Sequence, residues 1–480
     1  MSSLSFRTKF TYSLGQFSWS AKDVSFHYFL FFYYTQFMGL SASLAGLAAL
    51  LALIADAISD PIIGQVSDNW KGGKWGRRHP FMALAIIPFP LFLIAIFNPP
   101  QDLSQNLLFA WYLGNAIIIR TCLTLFTVPH LALGAELSND YEERNSISTY
   151  RNLVGYTGGL SIQVIAWFVL IPAATAAGMV ASGYRDIGFV AAGIAAFGMI
   201  MAFWGTRDRI QYLAQTSEAQ QARPWYYAFG DVVTMLKHHS ARVYLGANVI
   251  LITAVGMGNT MLLHVNNYIY GFSSEQIGIF MLCIFFSLLP AAWIAKRVVH
   301  RLGKKRGIIV VTFCMALIGP VPVMAYLYEF TPPAGSIGLL IFVCVFVALQ
   351  QTFYIANGNI AGGMVPDIAD ELELKSGMRQ EGIIYSGMML AQKMTFGLGA
   401  FFAGIAIDFA GLDGITDAAL VTDTMVNRLA WVYGPGLMCI CFVVIAVYSR
   451  YQLSRSRLDD VRSQLANRPS STHSPIASNS

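Results

Sequence analysis

The sequence predicts an all-α polytopic membrane protein with twelve transmembrane helices, and three observations support this fold class. Hydrophobic residues make up 55% of the 480 residues, charged residues make up only 12%, and the mean hydropathy is +0.54. The apolar residues form twelve segments, each near or above the ~20 residues that a helix needs to cross a bilayer. Most of the 31 lysine and arginine residues fall in alternate loops, which is typical of the cytoplasmic side of a multi-pass protein.

The twelve segments divide into two sets of six, separated by the longest polar stretch. The first set is placed at residues 12–38, 43–66, 79–97, 106–133, 151–171 and 187–204. The second set is placed at residues 242–270, 274–295, 307–328, 336–363, 383–410 and 427–449. We therefore predict two pseudo-symmetric six-helix halves at 1–204 and 242–449, a cytoplasmic linker loop at 205–241, and a disordered, Ser- and Arg-rich cytoplasmic tail at 450–480.

The charge, cysteine and motif patterns disfavour several other classes. The positive loops predict a protein of the inner (plasma) membrane with both termini in the cytoplasm. The net charge of +5 is therefore attributed to this topology and does not indicate nucleic-acid binding. The six cysteines lie within predicted spans without metal-ligand spacing, so we expect no metal beyond a transported cation and no cofactor. The sequence contains no His-Glu-x-x-His, Gly-x-Ser-x-Gly or phosphate-loop motif, which disfavours a membrane enzyme.

Two aspartates in the second segment, Asp56 and Asp60, are the polar residues that most need an explanation. Four residues apart, they share one face of a helix, with Cβ atoms roughly 5–6 Å apart. If both were ionised, they would repel by about 3 kcal/mol at an effective dielectric constant of 20. Such a pair persists in a membrane when a cation, a proton or a basic side chain neutralises it. A site for a transported cation and a static ion pair are therefore both open.

Short motifs recur at corresponding places in the two sets of segments. Gly76-Arg77-Arg78 follows the second segment, and Gly303-Lys304-Lys305-Arg306 follows the eighth. The stretches after the fourth and tenth segments each place an arginine, Arg144 or Arg379, six residues before a tyrosine. Two related halves joined by a long loop are typical of a transporter that works by rocking one half against the other.

Gly64-x-x-x-Asp68 followed by Gly76-Arg77-Arg78 resembles the cytoplasmic loop signature of the major facilitator superfamily, which implies the major facilitator fold. The basic residues of such a loop face anionic lipid and the ends of neighbouring helices. We expect Asp68, Gly76, Arg77 and Arg78 to hold the two halves together at the inner face. Arg144, Asp370 and Arg379, in the repeated stretches, are expected to act with them. A role restricted to fixing the topology stays open.

A more specific resemblance rests on five stretches. They are Lys22-Asp23, Asp56-Ala-Ile-Ser-Asp60-Pro61, Glu136 to Arg151, Asp370-Glu371-Leu-Glu-Leu-Lys-Ser-Gly377-Met-Arg379-Gln-Glu381-Gly382, and Lys393. The chain thereby resembles the glycoside–pentoside–hexuronide:cation symporters, which couple solute entry to Na⁺, H⁺ or Li⁺. The resemblance implies that Asp56 and Asp60 bind the cation and that Asp23 and Arg151 contact the solute. It places Lys393 close to both sites, where the lysine neutralises the aspartates after the cation leaves or forms a static salt bridge.

The fourth segment departs from this family pattern. Where the sugar permease of the family has an acidic residue, followed one turn later by an aromatic residue, this chain has Thr127 and Leu131. A threonine hydroxyl can still coordinate Na⁺, so we predict Thr127 as a third cation ligand. Arg120 shares a helix face with Thr124, Thr127 and Leu131. It is predicted either to meet an anionic solute or to pair internally with Asp23.

Polar side chains also occur in the second half. On the tenth segment Gln350, Tyr354 and Asn357 follow a four–three spacing, and the seventh segment contributes His264, Asn266, Asn267 and Tyr268. These groups suit solute hydroxyls and equally suit hydrogen bonds between helices. We predict Tyr354 and Asn357 as solute contacts. His130 is expected to pack or form hydrogen bonds, and His27, one turn from Asp23, keeps proton coupling open.

The functional prediction is a cation-coupled secondary symporter, driven by Na⁺ or H⁺, that moves a sugar, glycoside or sugar acid by alternating access. A symporter of a lysolipid-like or other anionic amphiphile is the alternative solute class. A transport-inactive membrane scaffold or sensor is the alternative from another functional class. The expected partners are a small-molecule solute, a monovalent cation and the lipid bilayer, and we expect a monomer that binds no nucleic acid.

Overall fold

A computed structural model of the chain describes residues 4–70, 75–138, 140–210, 236–376, 381–412, 415, 420–453 and 455–466. Within these ranges, side chains are not described at residues 135, 141, 285, 289, 375–376, 381–394, 455–456 and 462. Every regular element in the described ranges is helical. The all-α prediction is therefore confirmed for this part of the chain.

The first part of the chain, residues 4–210, contains ten of the described α-helices. They are α1 (Phe6–Leu14), α2 (Gln16–Val24), α3 (Phe31–Gln36), α4 (Ala42–Asn69), α5 (His79–Ile86), α6 (Pro88–Phe97), α7 (Gln105–Glu136), α8 (Tyr141–Ile165), α9 (Ile171–Ala176) and α10 (Val180–Gly205). A π-helical turn at Ser25–Leu30 joins α2 to α3, and another at Ala166–Leu170 joins α8 to α9. Such turns place an extra residue in the helix and frequently occur at functional sites.

The second part, residues 236–466, contains the other described helices. They are α11 (His239–His264), α12 (Ser274–Cys283), α13 (Leu288–Ile318), α14 (Val321–Leu327), α15 (Ile337–Ser376), α16 (Glu381–Ala410), α17 (Asp423–Trp431), α18 (Leu437–Ser449) and α19 (Arg455–Ala466). A π-helical turn at Val265–Ile269 extends α11, and one at Val432–Gly436 joins α17 to α18. Gly303 interrupts α13 with a φ of 73°, so the chain changes direction there.

Side-chain caps begin several of these helices. The Ser41 hydroxyl accepts a hydrogen bond from the Leu44 backbone N–H, 3.4 Å away, at the start of α4. The Asp140 carboxylate accepts from the first backbone N–H groups of α8. Ser273 and Gln276 form a reciprocal capping box at the start of α12. Each cap satisfies donors that the first helical turn leaves without a partner.

The helices of the described residues include nine that are long and apolar enough to cross a membrane. They are Ala42–Asn69, His79–Phe97, Gln105–Gly134, Glu142–Ala176, Val180–Arg209, His239–Ile269, Pro290–Leu327, Ile337–Leu374 and Asp423–Ser449. Each coincides with at least one predicted segment. The described residues therefore confirm a multi-pass helical membrane protein, whereas the number twelve and the division into six-helix halves stay predictions.

The two parts of the chain meet where α4 packs against α16. A Cβ atom on Gly46 would lie 2.6 Å from the carbonyl oxygen of Ala400, and one on Gly404 would overlap the backbone of Ala42. Neither position therefore accepts a larger residue without moving a helix. We call this pair of positions the glycine contact. Small residues allow membrane helices to approach until their backbones touch.

Polar side chains close the same end of the helices. The Tyr268 hydroxyl donates a hydrogen bond to Gln36 Oε1, which joins the second part of the chain to the first. The Gln36 amide nitrogen lies 3.2 Å from His264 Nε2, and His264 is completely buried. Gln36 lies a few residues before the start of α4, so this cluster and the glycine contact share one end of the molecule. We call it the closed end. The other end, which carries Arg77, Arg78 and Lys304, is called the basic end.

The predicted disordered tail begins with an ordered helix. α19 covers Arg455–Ala466, and Leu458 and Val461 on it are buried. Arg457 lies 3.9 Å from Glu371, which is itself buried on α15. The prediction of disorder is therefore wrong for these residues, because α19 packs against α15, a contact that its composition does not reveal. Residues 467–480 lie outside the described ranges, as do residues 211–235 of the predicted linker.

Candidate cation and solute site

Asp56 and Asp60 lie halfway along α4 and face α7. Asp60 Oδ1 accepts a hydrogen bond from the Thr124 hydroxyl at 2.6 Å, and Asp56 Oδ1 lies 3.4 Å from the same hydroxyl. Pro61 follows directly and has no N–H, so the carbonyl of Ala57 lacks its usual helical donor. Carboxylate oxygens of α4 and a hydroxyl of α7, which are oxygen ligands of the kind that hard cations take, thus meet in one partly buried place.

Arg120 enters this cluster from the middle of α7. Its Nη1 lies 3.6 Å from Asp56 Oδ2, and only 6% of its side chain is exposed. The guanidinium also lies over the ring of Phe26, 5.2 Å from its centroid, in the π-helical turn Ser25–Leu30. The internal partner of Arg120 is therefore Asp56, and the alternative prediction of a pair with Asp23 is wrong for this state of the protein.

The threonine beside the aspartates is Thr124, not Thr127. The Thr127 hydroxyl donates to the backbone carbonyl of Leu123 at 2.9 Å, within its own helix. Three residues along a helix correspond to about 4.5 Å, so the two hydroxyls stand at different depths. Thr127 was predicted as a cation ligand, but the threonine that the structure places beside the aspartates is Thr124. The helix face that meets the aspartates was predicted correctly. The depth at which α4 meets α7 was not, because it depends on packing between distant segments.

Asp23 forms a second charged cluster on the helix that precedes the π-helical turn. Its Oδ1 lies 3.2 Å from His27 Nδ1 and 3.5 Å from Lys22 Nζ. About a quarter of the Asp23 and His27 side chains is exposed, so the cluster is open to a small molecule. The His27 ring lies 4.4 Å from the ring of Phe396 on α16, between centroids. This contact, which the sequence did not predict, joins the cluster to the second part of the chain.

Arg151 lies away from this cluster. It stands beside Tyr12, whose hydroxyl donates to the backbone carbonyl of His130 at 3.1 Å. His130 Nε2 in turn lies 2.8 Å from the Tyr12 carbonyl, which confirms His130 as a packing and hydrogen-bonding residue. Tyr12 precedes Asp23 by eleven residues, or about 16 Å along a helix. The structure therefore does not bring Arg151 and Asp23 together. The side chain of Lys393 lies outside the described ranges.

The predicted contacts on α15 also take separate places. The Asn357 amide donates to the Thr312 hydroxyl at 2.8 Å, and Asn357 is buried. It therefore forms a hydrogen bond between helices, which is the alternative role given for it above. Tyr354 and Gln350 line a cavity of about 90 Å³ among helices of the second part. That volume is enough for a few water molecules.

The loop signature at the basic end forms a compact ion-pair cluster. Arg78 pairs with Asp68 and with Glu136 Oε1, the latter at 2.9 Å, and Arg77 Nη2 reaches the same oxygen at 2.7 Å. Gly76 has a φ of 68°, which favours glycine. All these residues belong to the first part, so this cluster ties α4, α5 and α7 to one another.

The second part repeats this arrangement. Gly303 also has a positive φ, and Lys304 Nζ, next to it, lies 2.6 Å from Asp367 Oδ2. Asp367 stands on α15 much as Glu136 stands at the end of α7. The repeated motifs of the sequence thus correspond to repeated ion pairs. Of the other expected residues, Arg144 donates to the Ser138 carbonyl at 2.6 Å, Asp370 lies on α15, and Arg379 is outside the described ranges.

These features together define a class of protein. A multi-pass helical membrane protein that holds two aspartates and an arginine at the middle of its helices has the composition of a carrier. Ionisable residues at that depth are costly and mark solute or ion pathways.

The chain belongs to the MFS/sugar transport protein family, whose model matches residues 11–455. It is 26% identical to the uncharacterized symporter sll1374 of Synechocystis sp., over 98% of each chain. It is 24% identical to the isoprimeverose transporter of Lactiplantibacillus pentosus, covering 92% of this chain and 88% of that relative. The resemblance to glycoside–pentoside–hexuronide:cation symporters is confirmed. The family and these relatives are transporters, not enzymes.

A solved structure shows the same fold. The inward-open xylose transporter XylE from E. coli superposes with a TM-score of 0.60, covering 95% of this chain and 98% of that chain at 14% identity. The major facilitator fold expected from the loop signature is therefore confirmed.

Proposed function

We propose that the protein is a secondary symporter that couples the entry of one monovalent cation, Na⁺ or H⁺, to the movement of a sugar, glycoside or sugar acid. The observation that carries this proposal is the cluster of Asp56, Asp60 and Thr124 at the middle of α4 and α7. Membership of a sugar transport family and similarity to an isoprimeverose transporter support the solute class.

The proposed architecture has twelve spans in two six-helix halves, with both termini cytoplasmic and the protein a monomer in the inner (plasma) membrane. The nine described spans and the repeated ion pairs around Glu136 and Asp367 support it. Lysine and arginine concentrate at the basic end, which in this orientation faces the cytoplasm. The closed end then faces outward.

In the proposed cycle, contacts at the two ends alternate. The glycine contact and the hydrogen bond from Tyr268 to Gln36 join the two parts of the chain at the closed end. The described ion pairs of the basic end each lie within one part. This distribution supports a state from which solute leaves at the basic end.

The solute is proposed to bind beside Asp23, His27 and Phe396. A carboxylate accepts hydrogen bonds from sugar hydroxyls, and an aromatic ring packs against the apolar face of a sugar. His27 and Phe396 belong to different parts of the chain and contact each other, with 4.4 Å between ring centroids, so a solute that binds beside this pair contacts both parts. Lys393 retains the role that the family resemblance implies for it, whereas Arg151, which lies beside Tyr12, is not part of the proposed solute site.

The test is gradient-driven uptake in proteoliposomes that contain the purified full chain. One cation moving down 100 mV releases about 2.3 kcal/mol, enough for nearly two decades of solute accumulation. We expect Asp60→Asn to abolish accumulation, because one carboxylate of the proposed site is lost, while solute exchange at equilibrium persists.

Asp102→Asn is the matched control for Asp60→Asn. Asp102 lies in a loop with a φ of 59°, a conformation that asparagine also tolerates, and is exposed. This variant should accumulate solute as the unmodified protein does. Normal accumulation by Asp60→Asn would refute the cation site. Accumulation of lysolipids in place of sugars would refute the solute class.

A further inference from the structure

Arg120 contacts residues of two other helical segments, each of which carries an acidic group of a proposed site. On one side its guanidinium faces Asp56 of α4, at 3.6 Å. On the other side it covers the ring of Phe26, which stands one turn after Asp23, and Asp23 is among the charges that act on Arg120. One buried positive group therefore contacts the proposed cation site and also packs on a residue one turn from Asp23 of the proposed solute site.

The guanidinium is held loosely for a buried arginine. Its contact with Asp56 is longer than the about 2.7–2.9 Å of a strong charge-assisted pair. Its Nε is buried, and no described residue accepts a hydrogen bond from it. A buried donor without an acceptor is unfavourable, so a further acceptor that arrives next to the guanidinium stabilises it. By comparison, the buried Arg78 at the basic end holds two carboxylates at once.

We propose that Arg120 couples the two sites: without the cation its guanidinium neutralises Asp56, and a bound monovalent cation releases it to pair with the carboxylate of an anionic sugar. This inference rests on the proposed function and names its solute class. A cation between Asp56 and Asp60 would lie within several ångströms of the guanidinium and repel it. Arginine keeps its charge at every relevant pH, so it responds by moving.

The solute class follows from the same charge. A neutral glycoside offers the displaced guanidinium only hydroxyl oxygens. A sugar acid offers a planar carboxylate, which matches the guanidinium in charge and geometry. Cation binding should therefore strengthen the binding of a sugar acid and leave the corresponding neutral sugar almost unaffected.

Binding measurements on the purified full chain test this coupling. The probes are 4-nitrophenyl β-D-glucuronide and 4-nitrophenyl β-D-glucoside, which differ only in a carboxylate against a hydroxymethyl group. Equilibrium dialysis is performed with and without Na⁺, and separately at low and neutral pH, so that a proton is distinguished from Na⁺. We expect the cation to tighten glucuronide binding about tenfold or more and glucoside binding less than twofold. An equal gain for both probes would overturn the proposal.

Variants at Arg120 separate its charge from its shape. Arg120→Gln should bind Na⁺ roughly tenfold to a hundredfold more tightly, because a competing charge is removed, and should lose the cation-dependent gain for glucuronide. Arg120→Lys keeps the charge but not the planar fork, so it should show a smaller gain. Arg185→Gln, an arginine on α10 outside the cluster, is the control and should behave as the unmodified chain.

Two further outcomes are decisive. If neither probe binds, the Na⁺ affinities decide: a tighter site in Arg120→Gln supports the proposal, and an equal or weaker one overturns it. If Arg120→Gln does not fold, the gain measured for Arg120→Lys decides, and an undiminished gain overturns the proposal. Failure of the proposed symport itself looks different, because the unmodified chain would then bind no cation and accumulate no solute under any gradient.

Discussion

Thr124→Val and Thr127→Val form a pair of substitutions that tests the geometry of the cation site. Valine has the shape of threonine and lacks the hydroxyl. At residue 124 the change removes a hydrogen bond of 2.6 Å to Asp60 and a contact of 3.4 Å to Asp56. In the proposed site the Thr124 hydroxyl oxygen turns to the bound ion, and a polar contact with a charged group contributes about 1.5–3 kcal/mol, so losing this ligand should lower cation affinity about 10- to 100-fold.

The same substitution at residue 127 removes only a bond to the carbonyl of Leu123, in its own helix. Its cation affinity should stay within about twofold of that of the unmodified protein. The assay is the cation concentration that half-saturates solute uptake in proteoliposomes, measured with Na⁺ at constant pH and then with pH alone. Both variants are matched in size, helix and loss of one hydroxyl.

Two results would refute this geometry. If Thr127→Val lowers the cation affinity as much as Thr124→Val, or more, the ion does not select the hydroxyl beside Asp60. Equal affinity in both variants and the unmodified chain would show that neither Thr124 nor Thr127 takes part.

The remaining predictions concern the two ends of the molecule. Glu136→Gln removes the carboxylate shared by Arg77 and Arg78, so the free energy of unfolding should fall by about 1–3 kcal/mol, measured by thermal unfolding, against Glu142→Gln as an exposed control. Gly404→Ala adds a methyl group where the backbone of Ala42 lies, so cysteines introduced at the closed end should become accessible to a thiol reagent. Gly114→Ala, where nothing lies within 4 Å, is the control and should leave accessibility unchanged.

Much of the fold follows from local properties of the sequence. The apolar segments, their basic loops and the repeated Gly-basic motifs predicted a multi-pass carrier. The length of an apolar segment and the charge of a loop can both be counted directly from the sequence. Asp56 and Asp60 were identified as candidate site residues in the same way, since two negative charges in an apolar helix require a neutralising partner. None of these inferences depends on which helices touch.

The missed features all depend on contacts between distant segments. Thr124 and Thr127 share one helix face, so only the depth at which α7 meets α4 distinguishes them. The pairing of Arg120 with Asp56 and the contact of His27 with Phe396 also join helices whose relative position the sequence pattern does not define. The helix α19 was missed because its polar composition is typical of a disordered tail, and its packing against α15 joins segments far apart in the sequence.

The glycine contact has a mechanical consequence. Backbones that touch without interlocking side chains can pivot on one another, so the contact is a natural fulcrum for the two parts of the chain. From Gly46 to Asp68 the helix α4 is a lever arm of about 33 Å, at 1.5 Å per residue. A rotation of roughly 10° at the fulcrum would swing its far tip by about 6 Å. That displacement is close to the width of a single sugar ring.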